Sequence, residues 1–245
     1  MTNANIQNRE AFLNKLTEKL GTKRQNTIEH PFKPINDLPE TTLADKSQDE
    51  LLEIAKARVE KINTTLVETT KANLKETIVH MVESFGGGKI ILPIDERFAE
   101  FGLQQFTPNP DQESKAAQEE LLFWKPGSTH RETNITNAEN ANIAIAFAEF
   151  LLAESGSIVV ETNAGQGRSL HFLPQHYISI IPMSKIVPRS TQAAAYYAEK
   201  QKNGEKIGSA IHFISGPSNS GDIEMQLVVG LHGPLSVCYI VVKDM

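Results

Sequence analysis

"NIAIAFAEFLLAESGSIVVETNAGQGRSLHFLPQHYISIIP", Asn142 to Pro182, is dense in strand-forming residues, with "SIVVET" and "YISIIP" as its clearest strands. Short apolar runs of this kind suit strands buried on both faces. Upstream, "TTLVET" reads as a strand, "NLKETIVHMVESFGGG" as a helix ending at glycines and "KIILPI" as another buried run. Strands and helices that alternate in this way mark an α/β domain. "EELLFWKP" adds a strand stopping at Pro126. Downstream, "QAAAYYAEKQKNG" reads as a helix, "SAIHFIS" and "SVCYIVV" read as strands, and a helix is predicted over Gly221 to Val229 to join those two.

Ahead of this block, "REAFLNKLTEKLG" spaces Phe12, Leu13, Leu16 and Leu20 as one helical stripe, with Gly21 placed to cap it. The segment Thr22 to Gln48 is polar, carries Pro31, Pro34 and Pro39, and has no sustained period, as a linker does. In "SQDELLEIAKARVEKI", Ser47 and Glu50 have capping-box spacing before a second helix. The expected organisation is a helical arm and linker over 1–47 and an α/β domain over 48–245.

Composition narrows the function classes. With 245 residues, 40% of them hydrophobic and 22% charged, the chain can bury a core without a disulfide or metal staple. A net charge of -6 provides no broad basic field for a phosphate backbone or an anionic membrane, so neither nucleic-acid binding nor membrane association is expected. No apolar run approaches the ~20 residues of a membrane helix. "MTNANIQNREAF" lacks the basic and apolar regions of a signal peptide, so a cytoplasmic location is expected. The single cysteine, Cys238 in "SVCYIVV", reads as a core strand residue. It cannot hold an iron–sulfur cluster, which usually takes four thiolates.

Three clusters could carry chemistry. In "NAGQGR", Gly165 and Gly167 match half of a dinucleotide fingerprint, but its third position falls on Leu170 and the residues beyond alternate like a strand. A glycine-bearing hairpin presenting Arg168 to a carboxylate or phosphate fits better; a surface arginine beside a turn is the plainer reading. His171, His176 and His232 fit no zinc spacing, and serve either as satisfied core histidines or as a proton acceptor. In "ISGPSNSGDIE", Gly216-Pro217 stops a strand, and Ser218, Asn219 or Ser220 suits a helix N-cap with Asp222 in the first turn. Such a helix start favours an anion, unless the loop's own Asp222 and Glu224 already occupy the dipole.

The ordered segments "LAESGSIVVE", "GQGRSLHFLPQHYISIIPMSKIVPR" and "ISGPSNSGDIEMQLVVGLHGP" resemble the lactate utilization protein C family, whose module is the LUD domain. The resemblance covers about Gln48 to Met245. It implies the fold of ribose phosphate isomerases, glucosamine phosphate isomerases and CoA transferases: a three-layer α/β/α domain with a mainly parallel sheet and a ligand cleft at the strand ends. It also implies a non-redox role beside iron–sulfur partner proteins in the oxidation of L-lactate to pyruvate, with no cofactor on this chain. Carried over residue by residue, the cleft comprises Glu154, Ser155, Gly156, Ser157, Arg168, Ser215, Gly216, Pro217, Ser218, Asp222 and Glu224. No catalytic residue follows from it. The alternative from a different class is a stand-alone enzyme on a sugar phosphate or acyl-CoA, which the same fold would permit.

Overall fold

The computed structural model describes residues 8–23, 35–108, 119–223 and 226–244. It divides into two compact units, Met1–Asp37 and Leu38–Met245. In the first, α1 (Arg9–Leu20) has the expected span and ends at Gly21, whose φ of 61° is the left-handed cap conformation that glycine adopts without strain.

The second unit begins with α2 (Leu38–Thr41), α3 (Gln48–Val59), β1 (Thr65–Thr70), α4 (Leu74–Ser84), β2 (Gly88–Leu92), α5 (Arg97–Glu100) and β3 (Glu119–Phe123). It continues through α6 (Arg131–Asn140), β4 (Ile143–Phe147), β5 (Phe150–Leu152), β6 (Ser157–Glu161), α7 (Ser169–Phe172) and β7 (His176–Pro182). The last elements are β8 (Ile186–Val187), α8 (Ser190–Lys202), β9 (Ile211–Ile214), β10 (Asn219–Ile223), β11 (Gln226–Val229) and β12 (Ser236–Lys243). The predicted capping box starts α3: the Glu50 N–H donates to Ser47 Oγ at 3.3 Å, and the Ser47 N–H donates to Glu50 Oε2 at 2.9 Å.

Six strands form an all-parallel sheet in the order β1-β12-β7-β4-β2-β3. The alternation in "IAIAFA" explains how its two faces differ. Ile143, Ile145 and Phe147 point to one face, where Leu74, Ile78, Val82 and Phe98 of α4 and α5 cover them. Ala144, Ala146 and Ala148 belong to the opposite core with Leu151, Ile158 and Val160. Alanines there allow a close approach, and that core is shared by a second sheet, ordered β8-β5-β6-β9, with Leu51, Leu52, Ala55 and Val59 of α3 and Ala138 of α6. The second sheet's outward residues Phe150, Leu152 and Val159 pack against Ala193 and Tyr197 of α8, as the two-residue period of a pleated strand requires. Cys238 lies fully buried among the helix-facing residues, where burial pushes its thiol up to about 12. It acts as a core hydrophobe.

Two local expectations are corrected. The helix predicted over Gly221 to Val229 is instead a hairpin, in which Asn219 pairs with Val229 and Ser220 with Val228. The polar–apolar alternation Asp222, Ile223, Glu224, Met225, Gln226, Leu227 is a strand period, and it prevails over the capping signals ahead of it. Ser218 therefore closes the base of the hairpin. Its N–H donates to Pro234 O at 3.0 Å, its carbonyl accepts from the Gly230 N–H at 2.8 Å, and its Oγ accepts from the His232 N–H at 3.2 Å. The second correction follows "GQGR". The hairpin is present, as an Asn163–Gln166 bridge, but the next residues form the single helical turn α7, which buries Leu170 and His171 and stops short of Pro174.

Candidate functional site

Parallel α/β sheets place ligands beyond the carboxyl ends of their strands. Here the ends of β2 and β4 are filled by the protein itself. Arg97 Nε donates to Asp95 Oδ1 and Oδ2, each at 3.0 Å, Nη2 reaches Asp95 Oδ2 at 2.7 Å and Glu149 Oε1 at 2.9 Å, and Nη1 donates to Ala148 O at 3.2 Å. The guanidinium also lies 5.1 Å from the centroid of the Phe147 ring. Open space lies further along, beyond β3, as a cleft of about 530 Å³ between the turn after β3, α6 and the β6–α7 loop.

Three cations line this cleft: Lys125, Arg131 and Arg168. Among the described residues, none of the three is ion-paired to a carboxylate. Buried Asn134 fixes the Lys125 backbone, its Oδ1 accepting from the Lys125 N–H at 2.9 Å and its Nδ2 donating to Lys125 O at 2.8 Å. Arg168 Nη2 donates to Ser209 O at 3.3 Å. Gly167 lies close under the Trp124 indole, so a larger residue there would have to displace that ring. Unpaired guanidinium groups on a cleft wall suit a carboxylate or phosphate.

The other predicted residues gather elsewhere. In the β5–β6 turn, Glu154 is ion-paired to Arg189 Nε at 2.8 Å. Gly156, at φ 72°, is packed so that a Cβ would meet Val59 N at 3.2 Å. Ser155 Oγ lies 2.8 Å from Ser157 Oγ, which in turn lies 2.6 Å from Ser215 Oγ, so this turn and the Ser215–Ser218 loop do meet. Gly216 passes tightly against Ile62 and Thr64. Ser215, Gly216, Pro217 and Ser218 line a separate cavity of about 310 Å³ beside Tyr177 and Val237, which stand at the amino ends of β7 and β12. The structure thus divides Arg168 from the loop expected to join it. Asp222 lies in β10, and Glu224 falls outside the described residues.

The sequence reading missed Trp124, Lys125 and Arg131. For Trp124 and Lys125 the signal was "FWKPG", a strand running into a cation and a Pro-Gly turn, the same kind of pattern that marked Arg168; Arg131 follows four residues later, at the start of α6. It also missed the pairing of His171 with Tyr177. His171 sits on α7 rather than in a strand, is 1% exposed, and places Nδ1 3.0 Å from Tyr177 Oη, while its Nε2 has no protein partner. Burial, aided by neighbouring His212, lowers its pKa to about 3. Between that value and the ordinary 6.5 the unfolded chain binds a proton that the folded chain refuses. Stability is therefore complete above pH 6.5 and falls as the pH drops, by up to about 1.4 kcal/mol per unit. Urea unfolding of the parent from pH 7 to pH 5 should show this loss, and His171→Asn should flatten it; an equal slope in both would remove His171 as its source.

The chain is an α/β protein whose parallel sheet is backed by a second sheet and whose described residues leave a cleft lined by three cations beyond the end of β3. The chain belongs to the LUD domain family, which its residues 52–242 match. It is 44% identical over 246 residues to "Lactate utilization protein C" of Geobacillus thermodenitrificans, and 40% identical over 244 residues to the protein of that name in Bacillus subtilis, with 100% of each chain covered in both comparisons. Its fold is similar to that of a DUF162 family protein from Deinococcus radiodurans, at a TM-score of 0.53 and 17% identity, over 81% of this chain and 99% of that one. No helix among the described residues is long and apolar enough to cross a membrane.

Proposed function

We propose that this chain is a non-redox subunit of a cytoplasmic L-lactate utilization system, and that its cationic cleft holds a small carboxylate. Oxidation of L-lactate to pyruvate releases two electrons and two protons. In this reading the electrons pass to the iron–sulfur clusters of partner proteins, since the chain's one thiol is locked in its core and the subunit takes no cofactor of its own. Full-length similarity to proteins named Lactate utilization protein C supports the pathway. The observation that carries the ligand class is the cleft itself, where Lys125, Arg131 and Arg168 line the walls and, among the described residues, none of them is ion-paired to a carboxylate.

The test is co-expression of the full chain with candidate iron–sulfur proteins of the lactate utilization system, followed by affinity capture. Stoichiometric recovery of iron-bearing partners supports the subunit. A chain that is recovered alone and turns over a sugar phosphate or an acyl-CoA is instead the stand-alone enzyme.

A further inference from the structure

We propose that the cavity at the amino ends of β7 and β12 is a second binding site, separate from the cationic cleft, for a small uncharged molecule that offers a hydroxyl group beside an apolar body. Its volume of about 310 Å³ is at the lower end of the ~300–1,000 Å³ that ligand sites span. Among the described residues, the lining includes no Lys, Arg, Asp or Glu. An anion or a cation entering it would lose water without gaining a counter-charge from a carboxylate, ammonium or guanidinium, which costs free energy. Phe172, Phe213, Ile214 and Val237 supply an apolar wall. Against it stand His171 and Tyr177, each 1% exposed and joined through Nδ1 and Oη at 3.0 Å.

That pairing uses one ring nitrogen and leaves the other, Nε2, buried without a partner. Buried polar atoms in native proteins are nearly always satisfied, by protein, ordered water or ligand. His171 is one of the residues that line the cavity. A hydroxyl group both donates and accepts, so it satisfies Nε2 in either tautomer of His171. Burial also keeps this imidazole neutral throughout the physiological range, in keeping with an uncharged ligand. The loop that closes the cavity is held in place: Ser215 is bonded to Ser157, Gly216 is wedged against Ile62, and Ser218 is tied to Pro234 and His232. The loop is thus preset.

Benzyl alcohol, benzoate and benzylamine share a size and differ in charge, which makes them suitable probes. Titrated into the full chain and followed by NMR of the histidine rings, benzyl alcohol is expected to bind saturably and shift the His171 resonances. Benzoate and benzylamine are expected to bind there at least tenfold more weakly. His171→Asn retains an amide near the Nδ1 position for Tyr177 and deletes Nε2; it should weaken benzyl alcohol at least tenfold, and His171→Gln should restore part of the loss. Phe213 is half exposed, so Phe213→Ala spares the core and should weaken the same probe severalfold even if the His171 variants fold poorly. Absence of benzyl alcohol binding, equal binding by the Asn variant, or equal binding of benzoate at His171 would overturn the assignment.

Discussion

Arg97→Leu should lower the unfolding free energy by about 3 kcal/mol, the low end of the range for breaking a buried ion pair from one side. The low end applies because the side chains of Arg97, Asp95 and Glu149 keep 25%, 13% and 23% of their exposure. The cost arises from what remains. Two carboxylates and the Ala148 carbonyl converge on the guanidinium at the ends of β2 and β4, and leucine would leave all three facing one another without a donor. Arg97→Lys should recover part, since an ammonium restores charge but cannot reproduce the planar fork that grips Asp95. Adding Asp95→Asn and Glu149→Gln to Arg97→Leu should recover more, because the repulsion goes with the charges. Urea midpoints at constant slope are the measurement. A loss below about 1 kcal/mol, the size of a surface pair, would show that this cluster is solvated and does not seal the strand ends.

That seal bears on how much of the site could be read from the sequence. The buried runs "KIILPI", "SIVVET", "YISIIP" and "SVCYIVV" announced strands because a strand covered on both faces has no polar alternation, and all four are strands. The small–large alternation of "AIAFA" held the finer information, a helix-covered face and a sheet-covered face, but nothing local says which element will cover an alanine stripe. The hairpin after Ser218 was misread for a related reason. Cap residues act over three or four positions, whereas the alternation from Asp222 to Leu227 is longer and imposes its own period. Arg168 was legible as a cation after a glycine turn. Its companions Lys125 and Arg131 come from a distant stretch of chain, and only the parallel pairing of β2 with β3 brings that stretch to the same end of the sheet. The gap between Arg168 and the Ser215 loop was equally invisible, because α7, which has Arg168 at its start and His171 within it, sets the two on different cavities.

Arg168→Ala should weaken carboxylate binding in the cationic cleft by roughly tenfold to over a hundredfold, the equivalent of losing a charge-assisted contact worth ~1.5–3 kcal/mol. The fold should survive. Arg168 is exposed, and the one side-chain hydrogen bond it makes among the described residues, Nη2 to Ser209 O at 3.3 Å, is long. Arg168→Lys should keep the charge and regain part of the affinity, since a carboxylate prefers the guanidinium's two parallel donors. The cleft contains its own reporter: Trp124 is the chain's single tryptophan and lines the cleft against Gly167, so its emission responds to occupancy without a label. Lactate and pyruvate titrations followed by Trp124 fluorescence and by calorimetry, on the chain alone and in complex with its partners, measure the effect. Because attraction between exposed charges is screened, the parent's affinity should fall as salt rises, and the variant's affinity should fall less. Growth on L-lactate is the physiological readout and should fail or slow in the Ala strain while the protein level holds. An Ala variant that binds both acids as the parent does and supports the same growth would leave the three cations as a solvated surface and return the cleft to an unassigned groove.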